Sequence, residues 1–230
     1  IKIEYHFDDD FKINDGSYIR KLDLNNALAT TEFETDEAKY RREYFVSRDA
    51  DIAVIHLDAD KSKMISVDIE LERQERVEYR TEDKAIVMFG QLKDGSNGDE
   101  GMKYLSKLTV DNKGGNVDFK NNKIIVRDAD ELTLILSSST NYKNEDYVAF
   151  VDSLMNDAKS HSYKYLKRKH IESYQELFNR VELDLGEGIT DNHSIDDRLY
   201  AFQEEDDPQL AALYFHYGRY LFISSTRENL

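Results

Sequence analysis

The strongest constraint on the fold is a stretch of strict alternation between apolar and polar side chains, from Ile65 to Leu71. Successive side chains of a β-strand point to opposite faces of the sheet. A period of two therefore predicts a strand with one face in the core and the other in water. We expect an antiparallel strand here that buries Ile65, Val67, Ile69 and Leu71.

The same period of two dominates the chain from Ile1 to about Tyr142. Apolar runs that predict further strands lie at residues 53–57, 85–89, 123–126 and 131–136. Residues that tolerate a positive φ separate the strands at 94–98, at Gly114-Gly115, which we interpret as a hairpin turn, and at Asn121-Asn122. Because no long helical pattern interrupts the series, residues 1–143 are predicted to form an antiparallel β-sandwich.

The period becomes helical beyond Tyr142. The first helix has Asn144 as its predicted N-cap and an apolar face of Tyr147, Phe150, Val151 and Leu154. A second apolar face comprises Tyr163, Leu166, His170, Tyr174, Leu177, Phe178 and Val181. Residues 144–186 are therefore predicted to be a helical connector with its own packing surface.

Residues 187–230 are predicted to form a linker loop and one helix. Pro208 suits the first turn of that helix, and the acidic residues 204–207 ahead of it suit the positive helix end. The helix runs from Gln209 to about Ser225, and one of its faces comprises Leu210, Leu213, Tyr214, Tyr217 and Leu221. Apolar residues also cover much of the remaining surface, which is typical of a helix in a bundle or helical barrel.

Charge and composition exclude several classes of partner. With 47 acidic against 31 basic residues, the net charge of −16 would repel nucleic acid phosphates and anionic membrane surfaces. No apolar run is long enough to predict a membrane span. The chain has no cysteine, which excludes disulfides and thiolate metal sites, and no motif predicts a cofactor.

The residue types that carry chemistry form no site pattern. Carboxylates at 8–10 and 204–207 match no calcium-loop spacing, and we interpret them as solvated faces or helix caps. The six histidines lack metal-ligand spacing, and His170 and His216 are interpreted as packing or hydrogen-bonding residues. We therefore predict no catalytic, cofactor-binding or metal-binding residue in this chain.

Fifteen tyrosines raise the alternative of a sugar-stacking surface. We assign Tyr174, Tyr214, Tyr217 and Tyr220 to buried helix faces, where tyrosine supplies apolar area and a polar tip. The candidates for a sugar-binding surface are the tyrosines of the strand region, namely Tyr5, Tyr18, Tyr40, Tyr44, Tyr79 and Tyr104.

Three motifs in the C-terminal part resemble glycoside hydrolase family 95, which includes α-L-fucosidases and some α-L-galactosidases. The motifs are His170 with the segment 174–186, the segment 196–199 with Ala201 and Phe202, and the segment 207–227. Weaker similarities lie upstream at residues 18–24 with Ala27, at residues 42–47, and at Gly101-Met102 followed by Gly114-Gly115. The resemblance implies a parent enzyme that hydrolyses terminal α-L-fucosides with inversion.

The resemblance also implies a role for this chain. It would be the N-terminal, non-catalytic part of a bacterial hydrolase, scaffolding a catalytic helical barrel whose first helix is the final helix here. The carbohydrate substrate would bind in that barrel, and no catalytic position of the family maps onto a residue of this chain. Its opening without methionine and its abrupt end predict that the chain lacks its first strands and the rest of the barrel. A periplasmic or extracellular location is implied as well.

Other hypotheses stay open at this stage. The sandwich is alternatively a carbohydrate-binding module or a purely structural domain, and the parent enzyme alternatively acts on α-L-galactosides. A final helix without its barrel partners is also predicted to expose a large apolar patch. Through this patch, which includes Tyr217, Leu221 and Phe222, the last helix is predicted to pack against another copy of the chain or against the sandwich, producing oligomers.

Overall fold

The computed structural model describes residues 1–7, 11–95, 101–142, 144–186, 193–204 and 206–227. The chain forms two compact units, Ile1–Leu22 with Leu28–His170 and Asp23–Ala27 with Ile171–Leu230. The predicted fold class, mainly β with a helical C-terminal part, is confirmed. Among the described residues, no helix combines the length and the apolar character needed to cross a bilayer.

Most strands belong to one large sheet. Its eight strands are β2 (Ile19–Asp23), β3 (Leu28–Glu34), β4 (Lys39–Ser47), β5 (Ile52–Ala59), β7 (Glu78–Glu82), β8 (Ala85–Gln91), β9 (Lys103–Lys113) and β12 (Glu131–Thr140). They lie in the order β2-β3-β4-β5-β12-β9-β8-β7. The second sheet has four strands, β1 (Lys2–Tyr5), β6 (Ile65–Glu70), β10 (Asn116–Lys120) and β11 (Lys123–Ala129), in the order β1-β6-β11-β10.

The core of the first unit lies between the two sheets. It combines residues from strands of both, including Val67 and Ile124 from the smaller sheet and Leu57, Leu108 and Leu132 from the larger. The four apolar residues of the alternating segment, Ile65, Val67, Ile69 and Leu71, are each at most 5% exposed, as predicted. The predicted β-sandwich is therefore confirmed, and neighbouring strands pair antiparallel in both sheets, for example β6 with β11 and β5 with β12.

Helix α1 (Tyr147–Lys159) covers the other face of the larger sheet, against β12 and β9. The predicted N-cap was wrong, because Asp146 caps α1 by accepting from the Ala149 amide, while Asn144 accepts from the Asp146 amide. The buried residues are Val151, Met155 and Ala158, whereas Phe150 of the predicted face is 39% exposed. Spacings of four and three residues align the buried side chains on one stripe, and Phe150 lies beside it.

Two predicted turns have different outcomes. Asn121 and Asn122, at φ 53 and 58, connect β10 to β11 as a hairpin, as predicted. Gly114 and Gly115 connect β9 to β10, which belong to different sheets, so the predicted hairpin turn is instead a corner between the sheets. Both glycines have positive φ, and a Cβ on Gly115 would overlap the Arg127 carbonyl oxygen. Residues 96–98 of the remaining predicted turn lie outside the described residues.

Helix α2 (Tyr163–Phe178) buries side chains at a spacing of four residues. Leu166, His170, Tyr174 and Phe178 are each at most 4% exposed, which confirms the predicted face. Val181, the last residue assigned to that face, lies beyond the helix and is 48% exposed.

The second unit also contains α3 (Ile195–Ala201) and α4 (Pro208–Ser225). Pro208 stands in the first turn of α4, as predicted. Ile223 packs with Tyr174, Phe178 and Ala27 in a small core. The assignment of Tyr214 and Tyr217 to buried helix faces was wrong, since they are 79% and 41% exposed. Because α4 is apolar nearly all round, its sequence pattern does not indicate which face is buried. Contacts with Tyr174 and Phe178 determine that face instead.

Candidate functional site

A buried carboxylate lies at the centre of a polar network on the outer face of the larger sheet. Glu43, on β4, has a side chain only 4% exposed. Both of its oxygens lie 2.7 Å from Lys167 Nζ, and the Tyr163 hydroxyl donates to Oε2. Arg41 Nη2 donates to Oε1 at 2.6 Å. Donors from strand β4 and from helix α2 thus bind the same carboxylate.

The electrostatics of Glu43 follow from these contacts. Burial opposes its charge, but the hydrogen bonds from Lys167 and Tyr163 and the positive charges of Lys167 and Arg41 together hold the pKa of the Glu43 carboxyl below its ordinary value. Burial and then the bond to Glu43 raise the pKa of the Tyr163 hydroxyl. Glu43 therefore stays ionised at neutral pH, and its lone pairs are occupied by donors of the chain itself.

Next to this network, His56 and Asp58 of β5 face a cleft of about 580 Å³. The His56 ring stacks on Tyr163 with centroids 3.7 Å apart, and its Nδ1 lies 2.9 Å from Thr133 Oγ1. Its Nε2 lies 3.8 Å from Asp58 Oδ2. Burial lowers the pKa of the His56 imidazole, which favours the neutral ring.

Two carboxylates of the cleft have opposite electrostatic environments. Asp58 on β5 and Glu131 on β12 are directly opposite in the strand register. Burial raises the pKa of the Asp58 carboxyl, whereas the hydrogen bond from Lys113 Nζ at 2.7 Å lowers the pKa of Glu131. Both carboxylates can accept hydrogen bonds from the hydroxyl groups of a ligand in the cleft.

Sequence reasoning missed this cleft. The available signal was a pair of polar residues two positions apart on each strand, His56 with Asp58 and Glu131 with Thr133, because residues i and i+2 share one face of a sheet. The two pairs are separated by more than 70 positions in the chain. Only the pairing of β5 with β12 brings them together.

The carboxylate clusters noted in the sequence have separate outcomes. Residues 8–10 and Glu205 lie outside the described residues. In the second cluster, Asp207 caps α4 by accepting from the Leu210 amide at 3.1 Å, as predicted for a carboxylate at this helix end. Across residues 1–7, 11–95, 101–142, 144–186, 193–204 and 206–227, no group of three or more metal-binding side chains could hold an ion.

The two histidines of the helices pack and hydrogen-bond as predicted. His170 stacks on Phe45 at 4.7 Å, and His216 Nε2 lies 3.2 Å from the Leu183 carbonyl oxygen. Among the candidate sugar-stacking tyrosines, Tyr40 and Tyr104 are buried, at 5% and 9% exposure, which removes them as a surface for ligands. Tyr18 is 53% exposed.

Helix α4 presents a large apolar face to solvent within the second unit. The exposed residues of this face are Tyr214, Phe215, Tyr217, Leu221 and Phe222, with exposures from 41% to 79%. Helix α3 adds Leu199 and Tyr200, at 54% and 78%. The five exposed apolar side chains of α4 share one helix face, and an exposed apolar patch of this kind is typical of an interaction site.

Comparison with known proteins identifies the family. Residues 1–145, more than half of the chain, match the family model described as "Glycosyl hydrolase family 65, N-terminal domain". The chain belongs to this family. Residues 162–230, which follow the family 65 N-terminal domain, match the model described as "Glycosyl hydrolase family 95 catalytic domain". The resemblance to glycoside hydrolase family 95 is thereby confirmed.

Curated relatives of this family 65 N-terminal domain and its C-terminal extension are fucosidases. Alpha-L-fucosidase 2 of Arabidopsis thaliana is 30% identical and aligns with 94% of this chain but only 30% of its own length. A probable alpha-fucosidase A of Aspergillus oryzae is 28% identical over 95% of this chain and 32% of its own. The probable alpha-fucosidase A of Aspergillus niger is 30% identical, over 91% and 28%. The chain spans about 30% of the length of these relatives.

A solved structure shares the fold of the family 65 N-terminal domain. It is described as a putative kojibiose phosphorylase from human microbiome, and it superposes with a TM-score of 0.55 at 15% identity. The superposition covers 76% of this chain and 27% of that protein. At this identity the similarity shows a common fold.

Proposed function

We propose that this chain is the N-terminal, non-catalytic part of a longer glycoside hydrolase that acts on α-L-fucosides, and that it supports the catalytic domain. The alignment with Arabidopsis α-L-fucosidase 2 carries the proposal, because 94% of this chain matches only 30% of that enzyme. The match to the family 95 catalytic domain occupies residues 162–230, in which the described part contributes only three helical segments.

The apolar face of α4 supports this role. Leaving large side chains in water forgoes about 25 cal/mol for each Å² of apolar surface that a partner would bury. Tyr214 and Phe222 are 79% and 69% exposed, although they lie on the same helix as the buried Ile223. We propose that the remaining helices of the catalytic domain cover this face in the whole enzyme.

The Glu43 network supports a structural role for the first unit. A glycosidase needs one carboxylic acid and one carboxylate placed on the two sides of the scissile bond. Glu43 is instead saturated by Arg41, Tyr163 and Lys167. Its contacts connect β4 to the first turns of α2, so the network orients the helix on the sheet.

A two-chain complementation experiment tests the proposal. The remaining segment of the catalytic domain is expressed as a separate chain and mixed with this one. We expect the two chains to copurify, and we expect the double variant Tyr214→Ser, Phe222→Ser to prevent it. Tyr142→Ser is the matched control, since Tyr142 is also 79% exposed but lies in the first unit. Association that survives the double variant, or no association at all, contradicts the proposal.

A further inference from the structure

The cleft at His56 has the form of a ligand-binding site. The proposed role of the chain in supporting the catalytic domain does not account for this cleft. Its walls are the ends of β5, β9 and β12 and the first residues of α2, all within the first unit. Ser162, directly before α2, accepts from the Tyr165 amide through its hydroxyl at 3.3 Å. The volume of about 580 Å³ is in the range of pockets for small ligands.

His56 supplies an unoccupied hydrogen-bonding atom on the floor of this cleft. Its side chain is only 9% exposed, and the stack on Tyr163 and the contact with Thr133 Oγ1 fix the plane of the ring. Within the part of the chain that the structure describes, Nε2 makes no hydrogen bond, and the Asp58 carboxylate at 3.8 Å is beyond hydrogen-bond distance. His56 and Asp58, whose side chain is 36% exposed, both line the cleft, so Nε2 and the Asp58 carboxylate are available to hydrogen-bond a ligand there.

The charges of the lining indicate the kind of ligand. Five carboxylates and three lysine ammonium groups line the cleft. A compact anion would face the carboxylates, and an organic cation would face the ammonium groups. A neutral polyhydroxylated ligand suits both, because each hydroxyl donates to a carboxylate and accepts from an ammonium group. No cluster of metal ligands occurs here or elsewhere in the described residues.

We propose that this cleft binds a neutral saccharide, with His56 Nε2 and the Asp58 carboxylate as its hydrogen-bonding anchors and Glu131 as a further acceptor. The site is a non-catalytic one, separate from the domain that cleaves the glycosidic bond. The choice of a saccharide among polyols rests on the proposed function, whereas the presence of a polyol site rests on the cleft itself.

Titration of the intact chain tests the proposal. Methyl α-L-fucoside, L-galactose and a fucosylated trisaccharide are titrated, with calorimetry and amide chemical shifts as the two readouts. We expect saturable binding with shift changes at β5 and the start of α2. Asp58→Ala and His56→Phe are each expected to weaken binding at least about tenfold, the usual effect of losing a charged or buried hydrogen-bond partner. His56→Phe keeps an aromatic ring on Tyr163 and removes only the nitrogens.

A matched control and three contrary results complete the design. Asp118→Ala removes an exposed carboxylate from β10 of the other sheet and is expected to leave the affinity unchanged. Saccharide affinity that is equal in Asp58→Ala, His56→Phe and the unaltered chain overturns the proposal. So does the absence of saturation for all three sugars, and so does binding of only spermidine or sulfate at the cleft. Sugar binding by a chain whose whole enzyme fails to cleave fucosides would contradict the proposed function alone.

Discussion

Arg198 binds Asp207 through two hydrogen bonds, from Nε to Oδ2 at 2.9 Å and from Nη2 to Oδ1 at 3.0 Å. The Asp207 side chain is fully buried, and its Oδ1 also accepts from the Leu210 amide at the start of α4. One carboxylate therefore joins α3 to the first turn of α4. The planar guanidinium suits this two-point contact in a way that a lysine ammonium does not.

Removal of the Arg198–Asp207 pair is predicted to destabilise the second unit. Asp207→Ala leaves the Arg198 charge partly buried without its partner and removes the helix cap, which we expect to cost about 3 kcal/mol. Hydrogen exchange of the α4 amides measures the effect. Asp196→Ala changes an exposed carboxylate on the same α3 helix and is expected to leave exchange unchanged. Equal protection of α4 in both variants contradicts the assigned role of Asp207.

Glu43→Gln is predicted to destabilise the first unit. The amide cannot satisfy Arg41, Tyr163 and Lys167 together, and the lost charge-assisted bonds correspond to about 2 kcal/mol. For a chain of this size the melting temperature is expected to fall by about 4–8 °C. Thermal unfolding followed by circular dichroism measures the change, with the exposed Glu78→Gln on β7 as the control. A melting temperature equal to that of the control shows that the network is not stabilising.

The effect of Glu43 is predicted to depend on pH. Its folded-state pKa lies below the unfolded value, which is about 4.3 for a free glutamate. The stabilisation is therefore fully present above the unfolded pKa and is lost as the pH falls through the folded one. In urea unfolding, the free-energy difference between the unaltered chain and Glu43→Gln is expected to be constant from pH 7 to pH 5 and to shrink in stronger acid. A difference that is independent of pH disproves the charge-based origin.

Asp58→Asn is predicted to stabilise the fold at neutral pH, the opposite of the effect of Glu43→Gln. Burial raises the folded-state pKa of Asp58, so its ionisation destabilises the fold at pH values above the unfolded pKa. The neutral amide is expected to raise the melting temperature slightly at pH 7 and to leave it unchanged at acidic pH below both pKa values. Parallel thermal scans at the two pH values distinguish these outcomes. A destabilised variant at pH 7 would show that the carboxylate has stabilising partners instead.

The exposed face of α4 is predicted to cause association of the isolated chain. Tyr214→Ser with Phe222→Ser is expected to change the unfolding free energy by less than about 0.5 kcal/mol, because both side chains are exposed. It is expected to abolish concentration-dependent association in sedimentation experiments. Ile223→Ala, at a buried position of the same helix, is expected to cost about 2 kcal/mol or more. A monomer at all concentrations without these substitutions contradicts the prediction.

The fold was predictable where the local alternation of apolar and polar residues indicated which side chains are buried. Alternation from Ile65 to Leu71 predicted one strand and its buried face. Every second side chain of a strand lies on the same face, so the face that carries the apolar residues is the one that is buried. The Gly114-Gly115 turn was misassigned because positive φ indicates a turn and says nothing about which sheet the next strand joins. The proposed domain boundaries after residues 143 and 186 stay predictions.

The cleft was not predictable, because its parts come from distant segments. His56 and Glu131 meet only through the register of β5 with β12, and a sequence without pairing information does not contain that register. The start of α2 adds Tyr163 from a third segment. The burial of Tyr214 and Tyr217 was predicted wrongly for a different reason. Apolar residues surround α4, and tertiary contacts determine which of them are buried.

Hydrolysis of an aryl α-L-fucoside tests the central claim most directly. The assay compares this chain with the full-length protein in which it continues into a complete family 95 catalytic domain, with an aryl α-L-galactoside in parallel. We predict release of the aryl alcohol by the full-length protein only, with a rate that Asp58→Asn and Glu131→Gln leave unchanged. Turnover by residues 1–230 alone, abolished by either substitution, would place the catalytic site in the sandwich and contradict the account.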